Sequence, residues 1–340
     1  MSQLVTLDEI RAAQRRIAGT AVRTPLYRVS RARLRMARAP EPEFDLYIKA
    51  ESEQPIGSFK LRGAYNMMSQ LAPEALRHGV ITYSSGNHGQ GVAYAARALG
   101  TKAVIVVPEN APAVKKATIR ELGAEIVEVG PASSERRAKA EELAAKFGYT
   151  IVPPYDDPAI IAGQGTCGLE IVEQLPGVDV VIAPVSGGGL LGGVAAAVKQ
   201  AAPHVKVWGA EPALAADAKE SFETKTLVEW PAEKTTRTIG DGLRTQSLGT
   251  LNFEHVVRYV DGIVAVEEEE ILAAMRVMLA TTTLTPEPSG AVSLAAALFH
   301  SAELPNASKV AVVLSGGNLE PGLKTELDRA AANVNGSSAT

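Results

Sequence analysis

The chain has 340 residues, 46% of them hydrophobic and 21% charged, with a formal net charge of −4. That length suits two lobes of one globular protein, and the slight negative charge gives no electrostatic case for nucleic acid or an anionic membrane. Cys167 is the only cysteine, which excludes an internal disulfide and fits a cytoplasmic setting; the first residues show neither a basic n-region nor a long apolar h-region, so no signal peptide is expected, and no run approaches 18 apolar residues.

In chain order, Thr6-Leu7-Asp8-Glu9 reads as a capping box, and Leu7, Ile10 and Ile17 give the helix behind it one apolar face. Lys60 then falls just inside an expected helix start, behind Gly57, in Ser58-Phe59-Lys60-Leu61-Arg62-Gly63-Ala64. Burial and a neighbouring cation, with Arg62 nearest, would both disfavour its charged form and make it a nucleophilic amine. Such an amine serves Schiff-base chemistry with a carbonyl substrate or with pyridoxal phosphate. Taken alone, the segment reads more readily as a surface charge, as most lysines are.

From residue 80 the pattern alternates: strand 80–84, helix 88–99, strand 103–107, helix 113–122, strand 125–129, helix 133–147, strand 150–153. A second series follows: helix 160–176, strand 179–185, helix 190–201, strand 205–210, helices 267–283 and 288–299, strand 309–314. Short apolar strands between amphipathic helices predict an α/β fold of parallel units, two doubly wound open-sheet lobes with a ligand cleft at strand C-terminal ends. Residues 222–262 are the least readable, with Thr238-Ile239-Gly240-Asp241-Gly242-Leu243 as a ligand-facing loop within them. The tail 331–340 is expected to fray.

Three glycine-rich turns give the Lys60 segment its context. Ser84-Ser85-Gly86-Asn87-His88-Gly89, Ser186-Gly187-Gly188-Gly189-Leu190 and Ser315-Gly316-Gly317-Asn318 each follow an apolar strand. There backbone can approach a ligand closely, and in the first two a following helix offers its N-terminus to an anion.

With those motifs the sequence resembles the pyridoxal-phosphate-dependent threonine/serine dehydratases and serine racemases, fold type II in the tryptophan synthase β-subunit group, from about Leu7 to about Leu327. The resemblance implies a larger lobe from residues 1–79 and 156–330, a small mobile lobe from 80–155, no regulatory domain after the core, and a homodimer or homotetramer. It makes Lys60 the cofactor lysine and the base at Cα. Phe59 and Gly242 would flank the ring, Asn87 would meet the 3′-oxygen, and Ser186, Gly187, Gly188, Gly189 and Leu190 would cradle the phosphate. Ser84, Ser85, Asn87 and His88 would take the substrate carboxylate, with His88 shaping the loop.

Ser315 would meet the pyridine nitrogen; a hydroxyl there leaves the ring a weaker electron sink than a carboxylate would, which suits β-elimination. Ser85 stands where the family's racemases place their second base, whereas an aromatic such as Tyr155 points to dehydration. Arg136 would suit a second substrate carboxylate, as in 3-hydroxyaspartate, and Glu287 would lie near the ring. Glu211, Ala215 and Asp217 have the family's spacing for Mg²⁺, Mn²⁺ or Ca²⁺, although a solvated helix start reads the same way. The expected activity is ammonia release from L-threonine and L-serine, with serine racemase or 3-hydroxyaspartate dehydratase as alternatives. A dinucleotide-dependent dehydrogenase is the rival from another class: Gly187 to Gly192 fits G-x-G-x-x-G after a strand, and Glu211 follows as a ribose-binding acid.

Overall fold

The alternating pattern resolves into two sheets in the computed structural model, which describes residues 4–84, 86–109, 111, 113–130 and 133–327. The strands are β1 (Leu26–Arg28), β2 (Asp45–Ala50), β3 (Val80–Tyr83), β4 (Ala103–Pro108), β5 (Glu125–Val129), β6 (Thr150–Ile151), β7 (Val180–Pro184), β8 (Lys206–Pro212), β9 (Gly262–Val266) and β10 (Lys309–Leu314). Six form one sheet in the order β1-β2-β10-β7-β8-β9, and four form the other in the order β5-β4-β3-β6. Among the described strand pairs, only β1–β2 is antiparallel.

Period-two alternation explains why both faces are covered. In β7, Val180 and Ile182 join the core beneath the helices Glu268–Thr281 and Pro288–Phe299, while Val181 and Ala183 join the core beneath Pro158–Gln174 and Gly189–Ala201. The smaller sheet repeats this: Ile105 faces Val92 and Ala96 of the helix Asn87–Leu99, and Val104 faces Ala140 of Ser133–Phe147.

The predicted capping box is present, with the Thr6 side chain accepting from the Glu9 backbone N–H and the Glu9 carboxylate accepting from the Thr6 backbone N–H. The helix expected at 160–176 starts two residues earlier, at Pro158, because Asp157 caps it by accepting from Ala159 and Ile160 N–H. The strand expected at 150–153 is only Thr150–Ile151. The least readable region, 222–262, contains the helices Ala232–Thr235 and Thr250–Tyr259, and the helix Asp217–Thr224 and the strand β9 overlap its two ends. Among the described residues, no helix is long and apolar enough to cross a membrane.

Candidate active site

A cleft of about 330 Å³ runs between the two sheets, at the C-terminal ends of β3, β7 and β10. Lys60, Phe59, Ser84, Asn87, His88, Arg136, Tyr155, Ser186, Gly187, Gly188, Gly189, Leu190, Gly242, Glu287 and Ser315 all line it. Ser85 lies outside the described residues. Glu211, Ala215 and Asp217 lie away from the cleft.

Lys60 is the first residue of the helix Lys60–Met68, reached through a turn at Gly57 with φ +71°. That turn is stitched to the Ser315 loop: Phe59 N–H donates to Ser315 O at 3.0 Å, and Gly317 N–H donates to Gly57 O at 2.9 Å. A Cβ on Gly57 would stand 2.4 Å from Asn318 Oδ1, so this close approach needs glycine. Lys60 Nζ donates to Pro154 O at 2.7 Å and lies 5.2 Å from the Phe59 ring centroid. Burial pulls its pKa down from 10.5 to about 8, so a sizeable fraction is free amine near neutral pH.

The expectation that Arg62 helps lower this pKa is corrected. Arg62 faces away from the cleft, as two residues along a helix dictates, and is fully buried between Glu51 and Glu170. Lys49 joins the same cluster, donating to Glu170 Oε2 at 2.5 Å and to Thr24 O at 2.7 Å.

The Ser186–Leu190 loop opens the helix Gly189–Ala201, whose first N–H groups have no partner within the helix. Gly188 has φ +89°, and Ser186, not a glycine, is held at φ +58°, a strained conformation of the kind that gathers at functional sites. Tyr155 closes over the loop, and a Cβ on Gly187 would stand 2.6 Å from its ring. Asn252 Nδ2 donates to Gly187 O at 2.7 Å, and the Ser186 hydroxyl meets that of Thr245 at 3.0 Å.

Asn87 Nδ2 donates to Glu287 Oε1 at 2.6 Å, and Asn318 Nδ2 donates to Asn87 Oδ1 at 2.7 Å. Burial, then the Asp241 charge, raises the Glu287 pKa to about 7. His88 donates from Nε2 to Val152 O at 3.0 Å; burial and the Lys60 charge push its pKa down to about 3. It is therefore neutral at physiological pH and shapes the loop.

Comparison with known proteins decides the family. The family described as pyridoxal-phosphate dependent enzyme matches residues 17–316. L-threonine ammonia-lyase of Thermotoga maritima is 40% identical over 321 residues, 93% of this chain and 76% of that protein. L-threo-3-hydroxyaspartate ammonia-lyase of Saccharomyces cerevisiae is 38% identical over 275 residues, 81% of this chain and 83% of that protein. The structure of maize serine racemase superposes with a TM-score of 0.88 at 35% identity, covering 98% of this chain and 99% of that one. The chain belongs to the pyridoxal-phosphate-dependent enzyme family.

The cleft fits this family's cofactor on its own geometry. It offers a buried amine with no counter-charge among the described residues, and a loop at a helix N-terminus packed so closely that a Cβ at Gly187 or Gly188 would run into Tyr155, Leu248 or Asn252. The dehydrogenase reading loses its ribose acid, because Glu211 is buried outside the cleft and accepts from Lys219 N–H at 2.6 Å.

Among the cleft residues that sequence reading missed are the polar side chains of Tyr83, Lys115, Asp241, Arg244, Thr245 and Ser289. Asp241 had a signal, in the loop already marked as ligand-facing. Thr245 and Ser289 carried none, since a lone hydroxyl has no pattern before its partner is known.

Among the described residues, no group of three or more His, Cys, Asp or Glu side chains is gathered for a metal ion. The Glu211–Asp217 pair nonetheless has two orphaned atoms, Glu211 Oε2 and Asp217 Oδ2, both buried without a hydrogen-bond partner. Burial raises Asp217 from 3.8 to about 7, and burial with the Asp217 charge raises Glu211 well above the usual carboxylate range.

Proposed function

We propose that this chain is a pyridoxal-phosphate-dependent ammonia-lyase that converts L-threonine to 2-oxobutyrate and ammonia, and L-serine to pyruvate and ammonia. The observation that carries the reading is the buried Lys60 amine, held without a counter-charge in the same cleft as the glycine loop. When bound, the cofactor supplies an electron sink that acidifies the substrate Cα–H.

The chain's own residues divide the remaining work. Lys60 holds the cofactor and, once displaced by the substrate amine, takes the Cα proton as a base of matched pKa. Backbone N–H groups of Gly187 to Leu190 and the Ser186 hydroxyl hold the phosphate dianion. Asn87, fixed by Glu287 and Asn318, would hold the cofactor at its 3′-oxygen, and Phe59 and Gly242 would flank it. Ser84, Asn87 and the backbone at His88 would receive the substrate carboxylate, and the Ser315 hydroxyl would hold the cofactor at its ring nitrogen. A hydroxyl rather than a carboxylate at position 315 would leave that nitrogen neutral, which would suit loss of the β-hydroxyl as Lys60 takes the proton. Residues 80–155 act as the smaller lobe over the larger one from 1–79 and 156–330.

The test incubates the purified chain, loaded with pyridoxal phosphate, with L-threonine, L-serine and L-threo-3-hydroxyaspartate, and measures oxo acid and D-serine. Release of 2-oxobutyrate from L-threonine is the expected result. D-serine as the main product would replace the reading with racemisation through Ser85, and turnover of hydroxyaspartate alone would move the substrate to a dicarboxylic acid read by Arg136.

Glu211, Asp217 and the Ala215 carbonyl would hold a hard divalent cation such as Mg²⁺, which the orphaned oxygens favour. A carboxylic acid whose pKa is raised in the folded state binds its proton more tightly there. Its contribution therefore falls as pH rises from the unfolded value near 3.8 through the folded value near 7. Metal-free protein is expected to lose thermal stability over that window, and saturating Mg²⁺, Mn²⁺ or Ca²⁺ at pH 8 to raise its Tm by several degrees. An Asp217→Asn variant that gains as much from the ion would refute the site.

A further inference from the structure

Lys115 has no part in the reaction described above, yet it lines the same cleft. It stands on the helix Ala113–Glu121, which packs against β5 of the four-stranded sheet. Its side chain is 12% exposed, and its ammonium reaches Asp241 Oδ2 at 2.7 Å and Glu320 Oε1 at 3.6 Å. Asp241 opens the turn Asp241–Leu243 on the six-stranded side of the cleft. The cations beside Lys115 on its own helix, Lys116 and Arg120, pair instead with Glu128 of their own sheet.

The contact continues toward the reacting region. The other Asp241 oxygen accepts from Ser289 Oγ at 3.5 Å, and Ser289 Oγ accepts from Gly242 N–H at 2.9 Å. The chain Lys115, Asp241, Ser289, Gly242 thus runs from one sheet's helix to a turn lining the cleft. The carboxylates there would repel one another without a cation: burial and then the Asp241 charge raise the Glu287 pKa to about 7, and Lys115 opposes the rise. A lysine that satisfied only its own helix would not span the cleft, because side-chain entropy opposes holding it there.

We propose that Lys115 is a positioning residue: by reaching across the cleft mouth to Asp241 it fixes the Gly242 turn and favours the closed cleft that substrate needs. The proposal rests on the cleft being the amino-acid site, and its test separates the two. Amide hydrogen exchange at Gly242 and Leu243 is measured in the wild-type chain, Lys115→Met, and the charge-swapped Lys115→Asp/Asp241→Lys. KM and kcat are measured alongside.

Lys115→Met is expected to speed exchange at these amides roughly tenfold. It should also raise KM for the turned-over amino acid about three- to tenfold, while kcat stays within about twofold. The swap is expected to restore both. Wild-type exchange in Lys115→Met, or a swap as fast-exchanging as the single variant, would overturn the proposal. The exchange measurement needs no turnover, so a wild-type chain inactive on every hydroxy amino acid would remove the functional reading and leave the exchange data to decide the role of Lys115.

Discussion

Replacing Lys60 by alanine is expected to lower turnover by roughly 10⁴-fold or more, because one side chain both anchors the cofactor and moves the Cα proton. The fold should survive. Among the described residues Lys60 makes no ion pair and its one hydrogen bond is to Pro154 O, and alanine suits a helix's first turn. The lost hydrogen bond costs about 1 kcal/mol, far below the catalytic loss. Lys60→Arg is expected to fail equally, since a guanidinium does not give up its proton near neutral pH. Steady-state oxo-acid release, with circular dichroism to verify folding, is the check; a few per cent of wild-type activity in Lys60→Ala would move the proton transfer to another group.

Arg62→Met is expected to produce the largest loss of stability from a single substitution. The guanidinium donates to Glu51 at 2.7 and 2.8 Å, to Glu170 at 2.7 and 2.8 Å, to Thr166 Oγ1 at 3.0 Å and to Val22 O at 3.2 Å. Both glutamates are buried, and Lys49 is the only other cation in the cluster. Burial raises the Glu51 pKa, but the Arg62 charge and hydrogen bonds override it and hold the group below its ordinary value.

Without Arg62, two buried carboxylates share one lysine, a situation that costs roughly 3–5 kcal/mol. A lowered folded pKa means that Glu51 contributes stability above its unfolded value of about 4.5 and loses it as pH falls through the folded one. The variant's deficit against wild type should therefore shrink as pH falls toward 4, where the uncompensated carboxylates take up protons. Urea unfolding at pH 8 and pH 4.5 measures both quantities. A deficit below about 1 kcal/mol at pH 8 would show that the cluster's charges are solvated or compensated in another way.

The parts of this molecule that could be read from its sequence are those whose cause is local. The strands β7 and β10 are short apolar runs because helices cover both their faces, and the turns after them are glycine-rich because backbone approaches backbone or ligand there. The strand β2 escaped reading because Lys49 interrupts its apolar pattern. That lysine is buried by partners at Thr24 and Glu170, far away in the chain. Arg62 was misread for a related reason: nearness in sequence suggested a charge acting on Lys60, whereas the helix turns the two side chains to different sides. The short elements between residues 213 and 259 have weak start signals, and the helix Thr250–Tyr259 has Gly249 at its cap while Asp156 accepts from its Leu251 and Asn252 N–H groups. Lys115 carries no signal in the sequence, because its partner Asp241 is far away in the chain.

The central claim, that Lys60 carries the cofactor, is tested most directly by borohydride reduction of the protein loaded with pyridoxal phosphate, followed by digestion and peptide mass analysis. The account predicts one phosphopyridoxyl group, located on Lys60, and loss of the visible absorption band on reduction. A label on Lys49, Lys115 or any other lysine, or no label after loading, would contradict it.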